Sequence, residues 1–140
     1  MNSMLTKKFN ENEMKAVLGE LLAEGEYIEA AVYCAFKDTG FFASNVTYPG
    51  YAAVTDKNRF ICCNYGLINS EAGVKNFDEL TKIKISKSFF GQKTVLLKFG
   101  KVEYYFHIAP KVGGSGFPEQ SENFEKFVEY LENVKQRNDM

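Results

Sequence analysis

Residues 80–107 read LTKIKISKSFFGQKTVLLKFGKVEYYFH, and the fold turns on how they are read. Lys82–Lys87 alternates, with Ile83 and Ile85 on one face and Lys82, Lys84 and Ser86 on the other. Gln92–Phe99 returns with Val95, Leu97 and Phe99 on one face. A period of two marks strands with one buried side. Ser88–Gly91 turns the chain between them. Gly100-Lys101 is the signal of a tight hairpin, and Val102–Ile108 completes a meander. After the glycine-bearing loop Pro110–Pro118, Phe124, Phe127, Val128, Leu131 and Val134 recur at helical spacing. Ser121 is a suitable cap for that last helix. Glu119, Glu122 and Glu125 near its start and Lys135 and Arg137 near its end suit the helix dipole. Short strands closed by a final helix predict an α+β chain with mostly antiparallel strands.

Upstream, Met14, Val17, Leu18, Leu21 and Leu22 make one helical stripe. They predict a first helix over about residues 11–23, capped by Asn10 or Asn12 and ended by Gly25. Its apolar face packs either on its own sheet or on a neighbouring subunit. Glu26–Phe36 reads as the first strand, Lys37–Gly50 as a loop or irregular edge, and Tyr51–Thr55 as a short strand. Asp56-Lys57-Asn58 turns into a strand over Arg59–Tyr65. Gly66–Asn76 holds one weak strand, and Asp78-Glu79-Leu80 a single helical turn.

The 140 residues fit one domain with a core that needs no staples. A net charge of −1 gives no basic field for nucleic acid. No apolar run approaches the roughly 18–20 residues that span a bilayer, and the N-terminal stretch has no signal-peptide core. A soluble, cytoplasmic chain is the expectation. Of three cysteines, Cys62 and Cys63 are adjacent. On a strand they point to opposite faces and share no metal. Buried, reduced thiols are expected, with no metal and no cofactor.

The order of motifs resembles a known group. Gly25-Glu26 precedes the first strand, and a hairpin turns at Thr55-Asp56. Phe77 to Leu80 and Ile83 to Ile85 follow, then Phe89 to Thr94 at a hairpin, Glu103 to Phe106 at a strand end, and Phe124 to Leu131 in the closing helix. Over roughly residues 20–136 this is similar to the bacterial pleckstrin-homology-like (YokE-like PH) domains. The resemblance implies a PH-like barrel of two orthogonal antiparallel sheets, about seven strands, capped by the C-terminal helix. It divides the chain into a helical extension, 1–24, and a PH-like domain, 25–137. It implies no catalytic residues. Eukaryotic PH domains that bind phosphoinositides carry several basic residues around the first hairpin loop, whereas Lys37–Gly50 holds one Lys and no Arg.

Few residues carry chemistry. His107 is the only histidine and reads as structural or surface-exposed; any Cys–His or Ser–His pair would have to use it, with Cys34, Cys62 or Cys63 as the cysteine. The run from Lys111 to Gly116 is either a connecting loop or a backbone anion site before a helix. Phe41 and Phe42, beside Gly40, are either an exposed contact tip or core. From Leu80 to Lys101 there are six lysines and no acid. Alternation sets Lys82, Lys84 and Lys98 on one outward face, either a docking face for an anionic membrane or acidic partner, or a solvated sheet face. The expectation is therefore a non-enzymatic protein-interaction or oligomerisation module, binding a protein partner or itself as a homo-oligomer. Its contacts would come from sheet edges, Phe41-Phe42 and the first helix. The alternative is peripheral binding to anionic lipid or an acidic partner through Lys82, Lys84 and Lys98.

Overall fold

A computed structural model describes residues 8–37, 47–66, 70–114 and 116–138. Its elements run α1 (Glu11–Gly19), β1 (Ile28–Lys37), β2 (Thr47–Thr55), β3 (Arg59–Tyr65), β4 (Ser70–Asn76), β5 (Lys82–Lys87), β6 (Lys93–Phe99), β7 (Val102–Ile108) and α2 (Gln120–Asn138). Among the described residues the seven strands form one antiparallel sheet in the order β4-β3-β2-β1-β7-β6-β5.

That order forces the sheet to curl. β4 and β5 are its two edges, six strand spacings or about 29 Å apart if the sheet were flat. Only residues 77–81 join them, and the first three form a tight 3-10 turn. Even fully extended, that span reaches about 20 Å. β1 and β7 share just two residue pairs, Ala35 with His107 and Phe36 with Phe106. Bending brings Phe60 of β3 against Phe106 of β7, rings stacked at 5.8 Å. Tyr104 of β7 lies close against Gly73 of β4, where a Cβ would meet its ring. A glycine inside a strand marks such close approach.

Strand alternation sorts the side chains into two cores. The concave face carries Val32, Val54, Phe60, Val95, Leu97 and Phe106, closed by Phe124, Phe127, Leu131 and Val134 of α2. Phe60, Phe106 and Phe127 are fully buried, each worth about 1.5–3 kcal/mol. The convex face of β1–β3 carries Ala31, Tyr51, Ala53, Ile61, Cys63 and Tyr65. α1 covers it with Met14 and Leu18, 2% and 0% exposed. The apolar stripe of α1 therefore packs on its own sheet. Asn10 is its cap, accepting from the Glu13 amide at 2.8 Å.

Several boundaries differ from expectation. α1 ends at Gly19, and Gly25, at φ +77°, instead turns the chain towards β1. β2 begins at Thr47, inside the expected loop, because Pro49 falls where β2 pairs with β1 alone and its pairing with β3 starts only at Gly50. The weak strand is a full one, β4, in register with β3 from Arg59–Asn76 to Tyr65–Ser70. α2 starts at Gln120, whose side-chain oxygen accepts from the Tyr33 amide and whose Nε2 donates to the carbonyls of Tyr33 and Ala109. It satisfies backbone groups left over where β1 parts from β7.

Candidate docking face on the β5–β6 hairpin

Lys82 of β5 stands directly across from Lys98 of β6, and Lys84 across from Leu96. All three lysines are exposed and share the outward face, as alternation predicts. Glu103 of β7 pairs with Lys98 and is the acid beside them. Lys37 adds a cation at the far side of this face, its ammonium 5.2 Å from the centre of the Tyr105 ring. Ile83, Val95, Leu97 and Phe99 on the other side anchor the hairpin to the core.

The tip of the hairpin holds what the sequence reading passed over. Phe89 and Phe90 are 82% and 93% exposed. Phe90 sits in the left-handed region, φ 59° and ψ 34°, a conformation unusual for a bulky residue. Lys87 and Lys93 face each other at the base of this tip. A signal was available: once Ile83, Ile85, Val95 and Leu97 are set inward, Phe89-Phe90-Gly91 falls wholly in the turn, with no core position left for either ring. Phe41 and Phe42, the pair singled out instead, lie outside the described residues.

Of the other chemistry-bearing residues, Cys34 and His107 border one groove, but from opposite faces of the sheet. Ala35 is directly across from His107, so the neighbouring Cys34 projects to the opposite face of the sheet. Cys34 and Cys62 belong to the concave core and Cys63 to the convex one, and all three are buried and unbridged. Burial, and then the neighbouring Cys62, push the Cys34 thiol well up, which keeps it protonated and unreactive. Burial and then Lys37 hold the His107 pKa below its usual value. Its Nδ1 lies 2.8 Å from Thr94 Oγ1, in a groove of about 550 Å³ shared with Gln92 and Lys111. The amide of Glu119, just ahead of α2, already has an anion from the chain itself, since Glu11 Oε2 accepts from it at 2.6 Å. A second groove of about 480 Å³ opens between Glu71–Gly73 of β4 and Val102–Tyr105 of β7, with Phe36, Lys37 and Tyr48 at the ends of β1 and β2. It is lined by Lys37 but also by Glu71 and Glu103, a balance unsuited to a polyphosphate headgroup. Among the described residues no cluster of three His, Cys, Asp or Glu could hold a metal. No helix among them is long and apolar enough to cross a membrane.

No family model matches the chain, and no curated protein matches it in sequence. Among solved structures, one similar fold is the C-terminal domain of an unknown protein from Leishmania infantum, at 16% identity and TM-score 0.49 over 84% of this chain and 94% of that one. Another is the hSac2 domain from human phosphoinositide phosphatase Sac2, at 12% identity and TM-score 0.50 over 90% of this chain and 80% of that one. At such identity the likeness to the hSac2 domain speaks for the fold alone.

Proposed function

We propose that the chain is a non-enzymatic binding module with a PH-like barrel, which docks on an anionic membrane surface at the cytoplasmic side through the outer face of the β5–β6 hairpin. The barrel reading is supported by the two-pair joint between β1 and β7, which leaves β1–β4 and β5–β7 free to cross as two sheets closed by α2. One observation carries the docking reading. Lys82, Lys84 and Lys98 stand exposed on one face of a hairpin that has six lysines and no acid between Leu80 and Lys101. Near an anionic leaflet each such lysine contributes about 1 kcal/mol. The same contribution fades over a Debye length of about 8 Å at physiological salt. The assembly reading has less to stand on, because α1 spends its apolar face on its own sheet.

Co-sedimentation with phosphatidylcholine vesicles, with and without phosphatidylglycerol, tests this. Binding is expected only with the anionic lipid. It should fall steeply between low and high salt and be lost in Lys82→Glu/Lys84→Glu. Salt-insensitive binding, or no binding to either vesicle, would overturn the reading in favour of a protein partner.

A further inference from the structure

We propose that Phe89 and Phe90 are an insertion wedge that enters the interfacial layer of an anionic bilayer, collared by Lys87, Lys93 and Lys111. The inference rests on the membrane-docking reading and adds the contact that sets orientation and depth. Three features of this tip work against the isolated fold. Two phenylalanines are left 82% and 93% exposed. Phe90 is held at φ 59°, where only residues without a bulky side chain are at ease. Lys87 and Lys93 are placed directly opposite one another across the ladder, and like charges in that position repel. The exposed rings and the opposed lysines are both relieved by a single environment, an apolar layer beneath a sheet of negative charge, and the strained backbone of Phe90 holds its ring outward at the turn.

Lys87 and Lys93 share the face of Ile85 and Val95, opposite to Lys82, Lys84 and Lys98, and a third cation joins them at the base of the tip. Pro110 packs beside Gly91, its ring 3.8 Å from where a Cβ would stand, and so the exposed Lys111 follows directly at the base of the tip. The hairpin contributes no acid to offset these charges. The two rings are exposed at the turn between β5 and β6, with Lys87 and Lys93 at its base. Such a tip suits a fluid interface, where aromatic rings sit at headgroup depth and the lysine stems reach up to the phosphates.

The chain contains no tryptophan, so Phe90→Trp places a sole reporter at the tip. With phosphatidylcholine–phosphatidylglycerol vesicles at low salt, its emission should shift to the blue and be quenched by lipids brominated on their acyl chains. Neutral vesicles should leave it unchanged. Phe89→Ser/Phe90→Ser should weaken sedimentation with the anionic vesicles by about tenfold or more, with no loss of thermal stability. Salt-sensitive sedimentation with unshifted emission, or undiminished binding of the double serine variant, would overturn the wedge and leave the lysine face standing. Absence of sedimentation would overturn both. A blue shift that grows with protein concentration in the absence of vesicles would make the tip a self-association contact and overturn the wedge.

Discussion

Glu26 keeps its charge with only 7% of its surface exposed, because four donors converge on it. Thr55 Oγ1 donates at 2.6 Å, the Ala23 amide at 2.8 Å, and Arg59 through Nε at 3.0 Å and Nη2 at 2.8 Å. Burial alone would raise its pKa. The hydrogen bonds from Thr55, Ala23 and Arg59, with the Arg59 charge, outweigh that and hold it below the usual 4.5. Arg59 also donates to the Leu21 carbonyl at 2.9 Å, so the pair fastens the segment after α1 to the β2–β3 hairpin. A carboxylate with a depressed folded pKa contributes stability that is present above its unfolded value and lost as the pH falls through the folded one. Glu26→Gln is therefore expected to lower stability by roughly 3 kcal/mol at pH 7 in denaturant titrations, since it strands a half-buried guanidinium. The difference between wild type and variant should shrink as the pH falls below about 4.5. Neither this lock nor the Gln120 bridge to Tyr33 was legible in the sequence. Both join residues far apart in the chain, and no local period or spacing marks a buried glutamate or glutamine.

At the scale of elements, what alternation can see was legible. β3, β5 and β7 run where the pattern places them, and Cys62 and Cys63 divide between two cores as neighbours on a strand must. Alternation is silent about a turn, so the exposed aromatic pair was sought at Phe41-Phe42 while Phe89-Phe90 was read as simple reversal. The difference lies in the backbone as well as the side chains. A left-handed phenylalanine costs roughly 1–2 kcal/mol, and glycine in its place returns part of that through its unfolded-state entropy. Phe90→Gly is therefore expected to raise stability by about 0.5–1 kcal/mol while weakening vesicle binding. Opposite signs in thermal unfolding and sedimentation would mark strain retained for contact. A fall in stability would mean that Phe90 packs on the fold after all.

Over the whole molecule, the order of parts was legible because each part is local: alternating runs, turn residues and one closing amphipathic helix. No local pattern showed the curl of the sheet, which was expected only through the resemblance; it follows from five residues having to join its opposite edges. Nor did one show the second core, which makes α1 a cover for the convex face of the sheet. Tyr51 is fully buried there, donating its hydroxyl to Glu13 Oε1 at 2.7 Å. Phe9 packs its ring on Tyr33, Tyr51 and Tyr65 at 5.4–5.9 Å. Removing residues 1–24 would strip Met14 and Leu18 from this face, and loss of such a side chain costs about 2–5 kcal/mol. It would also take the Ala23 amide from Glu26 and the Leu21 carbonyl from Arg59. Together these approach the whole stability of an ordinary domain, about 5–15 kcal/mol. The shortened chain is thus expected to lose its cooperative thermal transition and the near-ultraviolet dichroism of its tyrosines, and to bind a hydrophobic dye. An unchanged transition would instead make 25–137 a self-sufficient domain and α1 a dispensable extension, leaving the convex face free for another partner.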